Sequence, residues 1–321
     1  MSELPQYLET VAKQIDHMID RYFVDTVGDL NKASAHLLAA GGKRLRPAVV
    51  MLAADAVRHG SSDDILPAAL ALEITHTFTL IHDDIMDDDN LRRGVQTVHT
   101  KWDTPTGILA GDVLYARAFE YICKAKASEA AKVRAVTMLA RACADICEGQ
   151  HKDMSFEKRT DVDEYEYIEM VKKKTGVLYA AAAGIGAVLA GGNPMQVKTL
   201  YNFGLNTGIA FQIQDDLIDL LTPAEKSGKD RASDLREGKQ TLLMIKAREK
   251  GVDLLKYRRD LSDADIDAAI KELTEAGVID EVKMAASDLV ADSNKHLAIL
   301  PPSRERDLLM EIGEFFVTRS Y

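Results

Sequence analysis

Apolar residues recur at steps of three and four along almost the whole chain and almost nowhere alternate with polar ones, a period that permits little besides helices. Leu4, Leu8, Val11, Ile15, Met18, Ile19 and Tyr22 set the pattern and read as an amphipathic helix. Punctuation is sparse: Gly41-Gly42, Gly60-Ser61-Ser62, Gly191-Gly192-Asn193-Pro194, Thr222-Pro223, Gly228 and Pro301-Pro302. These breaks divide the chain into about ten helices joined by short turns. No low-complexity linker marks a boundary, so a single all-α domain is predicted over residues 1–321.

Charge and cysteine usage narrow the functional classes. With 40 basic against 51 acidic residues the formal net charge is -11, which argues against nucleic acid or an anionic membrane as the main partner. Cys123, Cys143 and Cys147 are too few for a disulfide framework and lack zinc-ribbon spacing, which fits a reducing cytoplasm. The first residues lack the basic start and apolar core of a secretory signal. The longest nearly apolar run, Val177 to Ala190, falls short of the roughly 20 residues that span a bilayer. No transmembrane segment is expected, and the run reads as a buried core helix. Its Gly184 and Gly186 follow no strand, so they fit close helix packing better than a dinucleotide fingerprint.

Two segments repeat a pattern that packing does not require: LIHDDIMDD at 80–88 and FQIQDDLIDLL at 211–221. On a helix Asp83 and Asp87 share a face with Asp84 to the side, and Asp215, Asp216 and Asp219 repeat that geometry. Clustered carboxylates among Ile81, Ile85, Ile213 and Leu217 need a cation. Hard oxygens without cysteine or clustered histidine select magnesium or manganese, which are usually completed by substrate phosphates. Two such clusters therefore suggest ions clamping a diphosphate, so that an acidic protein binds an anion through metals.

Basic residues complete the pattern. Lys43, Arg44 and Arg46 surround the glycine turn Gly41-Gly42, and Arg92-Arg93-Gly94 follows the first cluster within two turns. Arg forks and Lys point charges are what phosphate oxygens require. His76 precedes Asp83 by two helical turns and lies on its face. His82 has no comparable role. Gln150 and Asp153 suit a helix–helix hydrogen bond.

In order along the chain, GGKRLRP, HTFTLIHDDIMDDDNLRRG, GDVLYARAF, EGQHKD, KTGVL, FQIQDDLIDL and GKDRASDLREGKQTL strongly resemble the trans-isoprenyl diphosphate synthases, or polyprenyl synthetase family. The resemblance implies one helical domain around a deep central cavity, a homodimer, and head-to-tail joining of an allylic diphosphate to isopentenyl diphosphate. It assigns Asp83, Asp84 and Asp87 to the first magnesium site and Asp215, Asp216 and Asp219 to the second, with three ions in all. Arg92, Lys174, Thr175, Gln212, Lys229 and Lys239 would hold the allylic diphosphate, and Lys43, Arg46, His76 and Arg93 isopentenyl diphosphate. Segment 222–240 resembles the family's closing loop, and the resemblance equally implies polar residues near the first metal site at Gln150 and Asp153.

Product length is implied at the fifth residue before the first aspartate. Periodicity alone does not select Phe78, which stands about 140° from Asp83 around a helix. By resemblance, an aromatic there followed by the small Thr79 matches archaeal-type geranylgeranyl diphosphate synthases. A C20 product is expected, with C15 as the alternative. A terpene cyclase or head-to-head synthase would not be expected to keep Lys43, Arg46 and Arg93, and a silent partner subunit would typically lose one Asp cluster.

Overall fold

A computed structural model describes residues 3–24, 27–222, 231–259 and 261–319. In chain order its α-helices are α1 (Leu4–Ile19), α2 (Asp29–Ala39), α3 (Leu45–Val57), α4 (Leu66–Met86), α5 (Val98–Lys101), α6 (Thr104–Cys123), α7 (Glu129–Phe156), α8 (Glu164–Val171), α9 (Val177–Leu189), α10 (Pro194–Leu221), α11 (Ser233–Glu237), α12 (Leu242–Glu249), α13 (Asp263–Glu275), α14 (Val278–His296) and α15 (Arg304–Thr318). Among the described residues the strands are β1 (Leu91–Arg92) and β2 (Val95–Gln96), an antiparallel hairpin with Leu91 opposite Gln96 and Arg92 opposite Val95. The helices outnumber the ten expected because short pieces such as α5 and α11 also form, α11 within the 222–240 segment expected to be loop. In addition, a π-helical turn at Lys172–Gly176 separates α8 from α9.

Local signals start the helices as their chemistry requires. Proline occupies the first turn of α1, α4 and α6, where its missing N–H has no intrahelical partner to lose. Asp103 caps α6 by accepting from the Thr106 amide at 2.7 Å. Asp163 and Glu166 form a reciprocal capping box on α8, and Ser262 and Asp265 another on α13.

The chain forms two compact units. The first takes Met1–Ala140, Ala181–Tyr201 and Ile299–Leu309. Its core includes the fully buried Leu37, Leu38, Leu52, Leu70 and Leu72. Helix α4 runs along α6, whose Gly107 and Gly111 make room for Ile85 and His82; a Cβ on Gly107 would stand 2.9 Å from Ile85 Cδ1. Residues 63–86 are long and apolar enough to cross a membrane by composition, but 67% of the apolar window is buried. This is a core helix. Gly184 and Gly186 press against Met138 and the Val50 carbonyl, as close packing predicts.

The second unit takes Arg141–Ala180, Asn202–Ala298 and Met310–Tyr321. Its core joins Met170, Ile209, Ile213, Leu217, Ile245, Leu273 and Val282. Beside it, the rings of Tyr179, Phe211 and Phe316 meet with centroids 5.0 to 5.4 Å apart.

Candidate active site

In the first unit the first aspartate motif ends α4. Asp83 is half-buried and Asp84 fully buried, while Asp87 lies one residue past the helix and is exposed. The expectation that Asp84 stands aside from Asp83 and Asp87 is therefore refined: Asp84 is the carboxylate aimed into protein. Arg92 Nε donates to its Oδ1, and Arg92 Nη2 reaches Asp89 Oδ2 at 3.1 Å. Asp84 Oδ2 has no hydrogen-bond partner among the described residues. Burial raises the Asp84 carboxyl to about 6 even though Arg92 opposes the shift. A buried carboxylate oxygen without a protein donor suits a cation as its partner.

The basic residues of this unit divide into two sorts. Arg44 is buried, with φ 48 at the start of α3. It donates to Asp16 Oδ1 at 2.9 Å, Glu73 Oε1 at 2.6 Å and the Leu38 carbonyl at 2.7 Å. Arg44 therefore belongs to the framework, unlike Lys43 and Arg46 beside it, which the family resemblance assigns to isopentenyl diphosphate. Arg93 shares Glu73, at 3.8 Å, and donates to the Gly41 carbonyl. Gly42 takes φ 152, a backbone conformation that L side chains rarely adopt, and a Cβ there would also crowd the Arg93 guanidinium carbon at 3.1 Å. Lys43 is exposed, and Arg46 and His76 are half-buried. His76 is held well below its ordinary pKa, first by burial and then by Arg46, Arg93, Arg92 and Arg44, so its ring is neutral at pH 7. On the same helix Thr79 donates to the His76 carbonyl at 2.8 Å. The Phe78 ring packs edge-on against Tyr115, with centroids 5.2 Å apart.

In the second unit a cavity of about 90 Å³ gathers Lys174, Thr175, Gln212, Asp216 and Lys239 with Asp153, Tyr167 and Asp234. Lys174 and Thr175 sit on the π-helical turn, a distortion that recurs at functional sites. Gly149 of α7 permits it, since a Cβ there would overlap the Lys174 backbone nitrogen. A hydrogen-bond chain follows: Thr175 donates to Gln212 at 2.9 Å, and Gln212 donates to Asp216 Oδ1 at 2.9 Å. Tyr167 donates to Asp216 Oδ2 at 2.7 Å. Burial and then Asp234 push the Asp216 carboxyl well up; burial and then Asp219 push Asp234 up. Lys174 donates to Asp153 at 2.5 Å, which gives Asp153 an ion-pair role. Gln150 is buried, and its Oε1 has no hydrogen-bond partner among the described residues, so that oxygen makes no helix–helix bond.

Asp219 and Asp215 serve neighbours. Asp219 accepts from the Ser233 hydroxyl at 2.6 Å and from the Ser233 and Asp234 amides at 3.3 and 3.1 Å, capping α11. That cap explains a helix inside the segment expected to be loop. Asp215 Oδ1 accepts from Arg319 at 2.6 Å. Lys239 pairs with Asp234 and Glu237, whereas Lys229 lies outside the described residues. Tyr167, Asp234 and Arg319 were not singled out from sequence. Asp234 lies within GKDRASDLREGKQ, where acids and bases alternate so closely that no local signal separates it from Asp230 or Glu237.

Among the described residues no three His, Cys, Asp or Glu side chains form a ready-made metal cage. Magnesium takes one or two carboxylates and leaves the rest of its shell to water and phosphate. The carboxylate-only donors and the orphaned Asp84 oxygen suit such an ion.

Comparison with known proteins agrees with the motifs. A family model described as Polyprenyl synthetase matches residues 28–273. The chain is 47% identical over 308 residues to a geranylfarnesyl diphosphate synthase of Natronomonas pharaonis, covering 91% of this chain and 90% of that one. It is 46% identical over 313 residues to a geranylgeranyl diphosphate synthase of Methanosarcina mazei, covering 97% and 96%. Among solved structures, the geranylgeranyl pyrophosphate synthetase of Geoglobus acetivorans superposes with a TM-score of 0.91 at 42% identity, covering 97% of this chain and 99% of that one. On the family match and the identities alike, the chain belongs to the polyprenyl synthetase family and is one of its prenyltransferases.

Proposed function

We propose that this prenyltransferase joins an allylic diphosphate head to tail with isopentenyl diphosphate and releases geranylgeranyl diphosphate, a C20 product. The observation that carries the reading is that each Asp-Asp-x-x-Asp motif has one buried carboxylate, Asp84 and Asp216, with phosphate-binding residue types close by. The first motif and Arg92 act on the allylic diphosphate together with the second motif, Lys174, Thr175, Gln212, Lys229 and Lys239. Lys43, Arg46, neutral His76 and Arg93 bind isopentenyl diphosphate. One catalytic domain over 1–321 is supported by a family match that runs across both compact units.

When bound, magnesium supplies Lewis-acid stabilisation of the departing diphosphate; three ions are proposed, with manganese as a substitute. Asp83, Asp84, Asp87, Asp215, Asp216 and Asp219 hold and orient that charge, and Lys174 and Lys239 add their own to the developing anion. The Thr175 hydroxyl and carbonyl oxygens of the π-helical turn turn lone pairs toward the allylic cation. Apolar walls exclude water from it; of segment 222–240, which resembles the family's closing loop, residues 223–230 lie outside the described residues. The released diphosphate takes the proton after carbon–carbon bond formation, so no side-chain base is required.

A homodimer is proposed, supported by Ile108, Leu109 and Tyr115 on α6, which are 45%, 52% and 40% exposed. A cytoplasmic location is supported by Cys123, Cys143 and Cys147, all unpaired thiols. Phe78, buried against Tyr115, supports C20 over longer chains. The geranylfarnesyl relative makes C25 a closer competitor than C15. Incubating the purified chain with magnesium, isopentenyl diphosphate and dimethylallyl, geranyl or farnesyl diphosphate tests the reaction and its product length. A C20 product is expected by chromatography, and absence of any condensation would overturn the reading.

A further inference from the structure

Arg319, just past α15, lies beyond the residues matched by the family model and has no role in the reaction outlined above. Its environment is built. The side chain is 7% exposed although it carries a full charge. The guanidinium carbon stacks 3.9 Å from the centre of the Phe211 ring, and that ring is backed by Phe316 and Tyr179. Nη2 donates to the Phe211 carbonyl at 3.1 Å and to Asp215 Oδ1 at 2.6 Å. In return Gln214, the residue before Asp215, donates from Nε2 to the Arg319 carbonyl at 2.8 Å. Arg319 is thus stitched to about one turn of α10, at Phe211, Gln214 and Asp215.

We propose that Arg319 is a positioning residue for the second metal site: it fixes the Asp215 carboxylate through Oδ1 and leaves the other oxygen for the ion. The side chain of Asp215 remains 40% exposed, so an oxygen is accessible after the pair forms. An unsupported aspartate at a helix surface samples several rotamers and must be ordered when the ion binds. Arg319 orders it beforehand, as hydrogen-bonded partners of ligating carboxylates do in general. Stacking on Phe211 holds the guanidinium plane in register, which a lysine ammonium cannot reproduce. Charge alone would act oppositely, since a fixed cation next to the carboxylate repels a divalent ion. The direction of the effect therefore separates positioning from simple neutralisation. The proposal rests on Asp215 being a metal ligand.

The test compares the intact chain with Arg319→Ala, Arg319→Lys and Asp215→Asn by calorimetric titration of magnesium with inorganic pyrophosphate. Circular dichroism and melting in EDTA verify that each variant is folded. We expect Arg319→Ala to weaken binding about 10- to 100-fold, the range typical for loss of such outer partners, with Arg319→Lys in between. If Arg319→Ala does not fold, the lysine variant carries the test, with a loss of at least threefold expected. Binding within twofold of wild type, or tighter, in the folded arginine variants overturns positioning while Asp215→Asn still loses affinity. Undiminished binding in Asp215→Asn itself overturns the metal-ligand reading, and this inference with it.

Discussion

The two aspartate motifs share a sequence pattern and are built in opposite ways. At the end of α4, Asp84 is neutralised by a cation, Arg92, from a hairpin eight residues on, and one of its oxygens has no donor among the described residues. Within α10, both Asp216 oxygens are satisfied by neutral donors, Tyr167 and Gln212, while Asp215 and Asp219 are tied to Arg319 and to the start of α11. In the first motif Asp84 is held from one turn just past its own helix end. The second is a node joining α8, α10, α11 and the residue after α15. A network whose members are all satisfied rigidifies its site, whereas an orphaned buried oxygen is costly until a ligand arrives. The contrast assigns preorganisation to Asp216 and ligand-driven ordering to the Asp84 oxygen.

The largest expected effect tests whether the motifs act together despite that difference. Asp84→Asn and Asp216→Asn each remove a charge while keeping the shape. Each is expected to lower kcat/KM about a thousandfold, several kcal/mol of transition-state stabilisation, with helicity unchanged by circular dichroism. Full activity in either variant would remove its motif from the diphosphate clamp.

Backbone contacts sharpen the comparison next. Alanine at Gly149 must displace the Lys174 main chain, whereas alanine at Gly111 meets only the His82 ring, which can rotate. Gly149→Ala is expected to lose about 1–3 kcal/mol of stability by overpacking, and about a hundredfold in rate because the π-helical turn shifts. Gly111→Ala should be the milder change. Thermal unfolding and steady-state rates read both, and an inverted order would mean that the first unit holds its site as rigidly as the second. Tyr167→Phe is smaller again. Losing one donor to a buried carboxylate is worth about 1–2 kcal/mol, so the magnesium concentration for half-maximal rate should rise about tenfold. No such shift would show that Asp216 is not held in place by the phenol.

Much of this was legible in the sequence because it is local. Asp-Asp-x-x-Asp on a helix, the glycine turn before Arg46, and the run of apolar periods need only neighbours three to seven residues away. The commitment of Arg44 to Asp16 and Glu73 was not legible, since a cation next to Lys43 looks the same whether it faces a ligand or a buried glutamate. Nor were Tyr167 and Arg319, which reach the second motif from 49 and 104 positions away. The π-helical turn left no periodic trace, because one extra residue inside Glu164–Leu189 shifts a helical stripe too little to see against an almost wholly apolar α9. Helix α11 was hidden for a related reason: its start is capped by Asp219, fourteen residues back, rather than by a neighbouring cap.

The smallest effect on rate, and the most informative about product, belongs to Phe78. Its ring is 7% exposed, set edge-on to Tyr115 at 5.2 Å and to His82 at 6.0 Å, and Tyr115 in turn meets Phe119 at 5.1 Å. An edge-to-face partner holds a ring in place beyond its buried area, by about 0.5–1.5 kcal/mol, so Phe78 is a firm stop rather than a mobile one. Phe78→Ala removes that stop without touching a charge. Product length should therefore grow by one or more five-carbon units, while total turnover stays within a few-fold because the diphosphate residues are unchanged. Chromatography of dephosphorylated products reads the shift. The change costs about 3–5 kcal/mol of core stability by the usual Phe-to-Ala loss, so the assay belongs below the variant's own melting range. An unchanged product distribution in a folded, active Phe78→Ala chain would place the limit on length elsewhere, and Tyr115→Ala would then be the next residue to change.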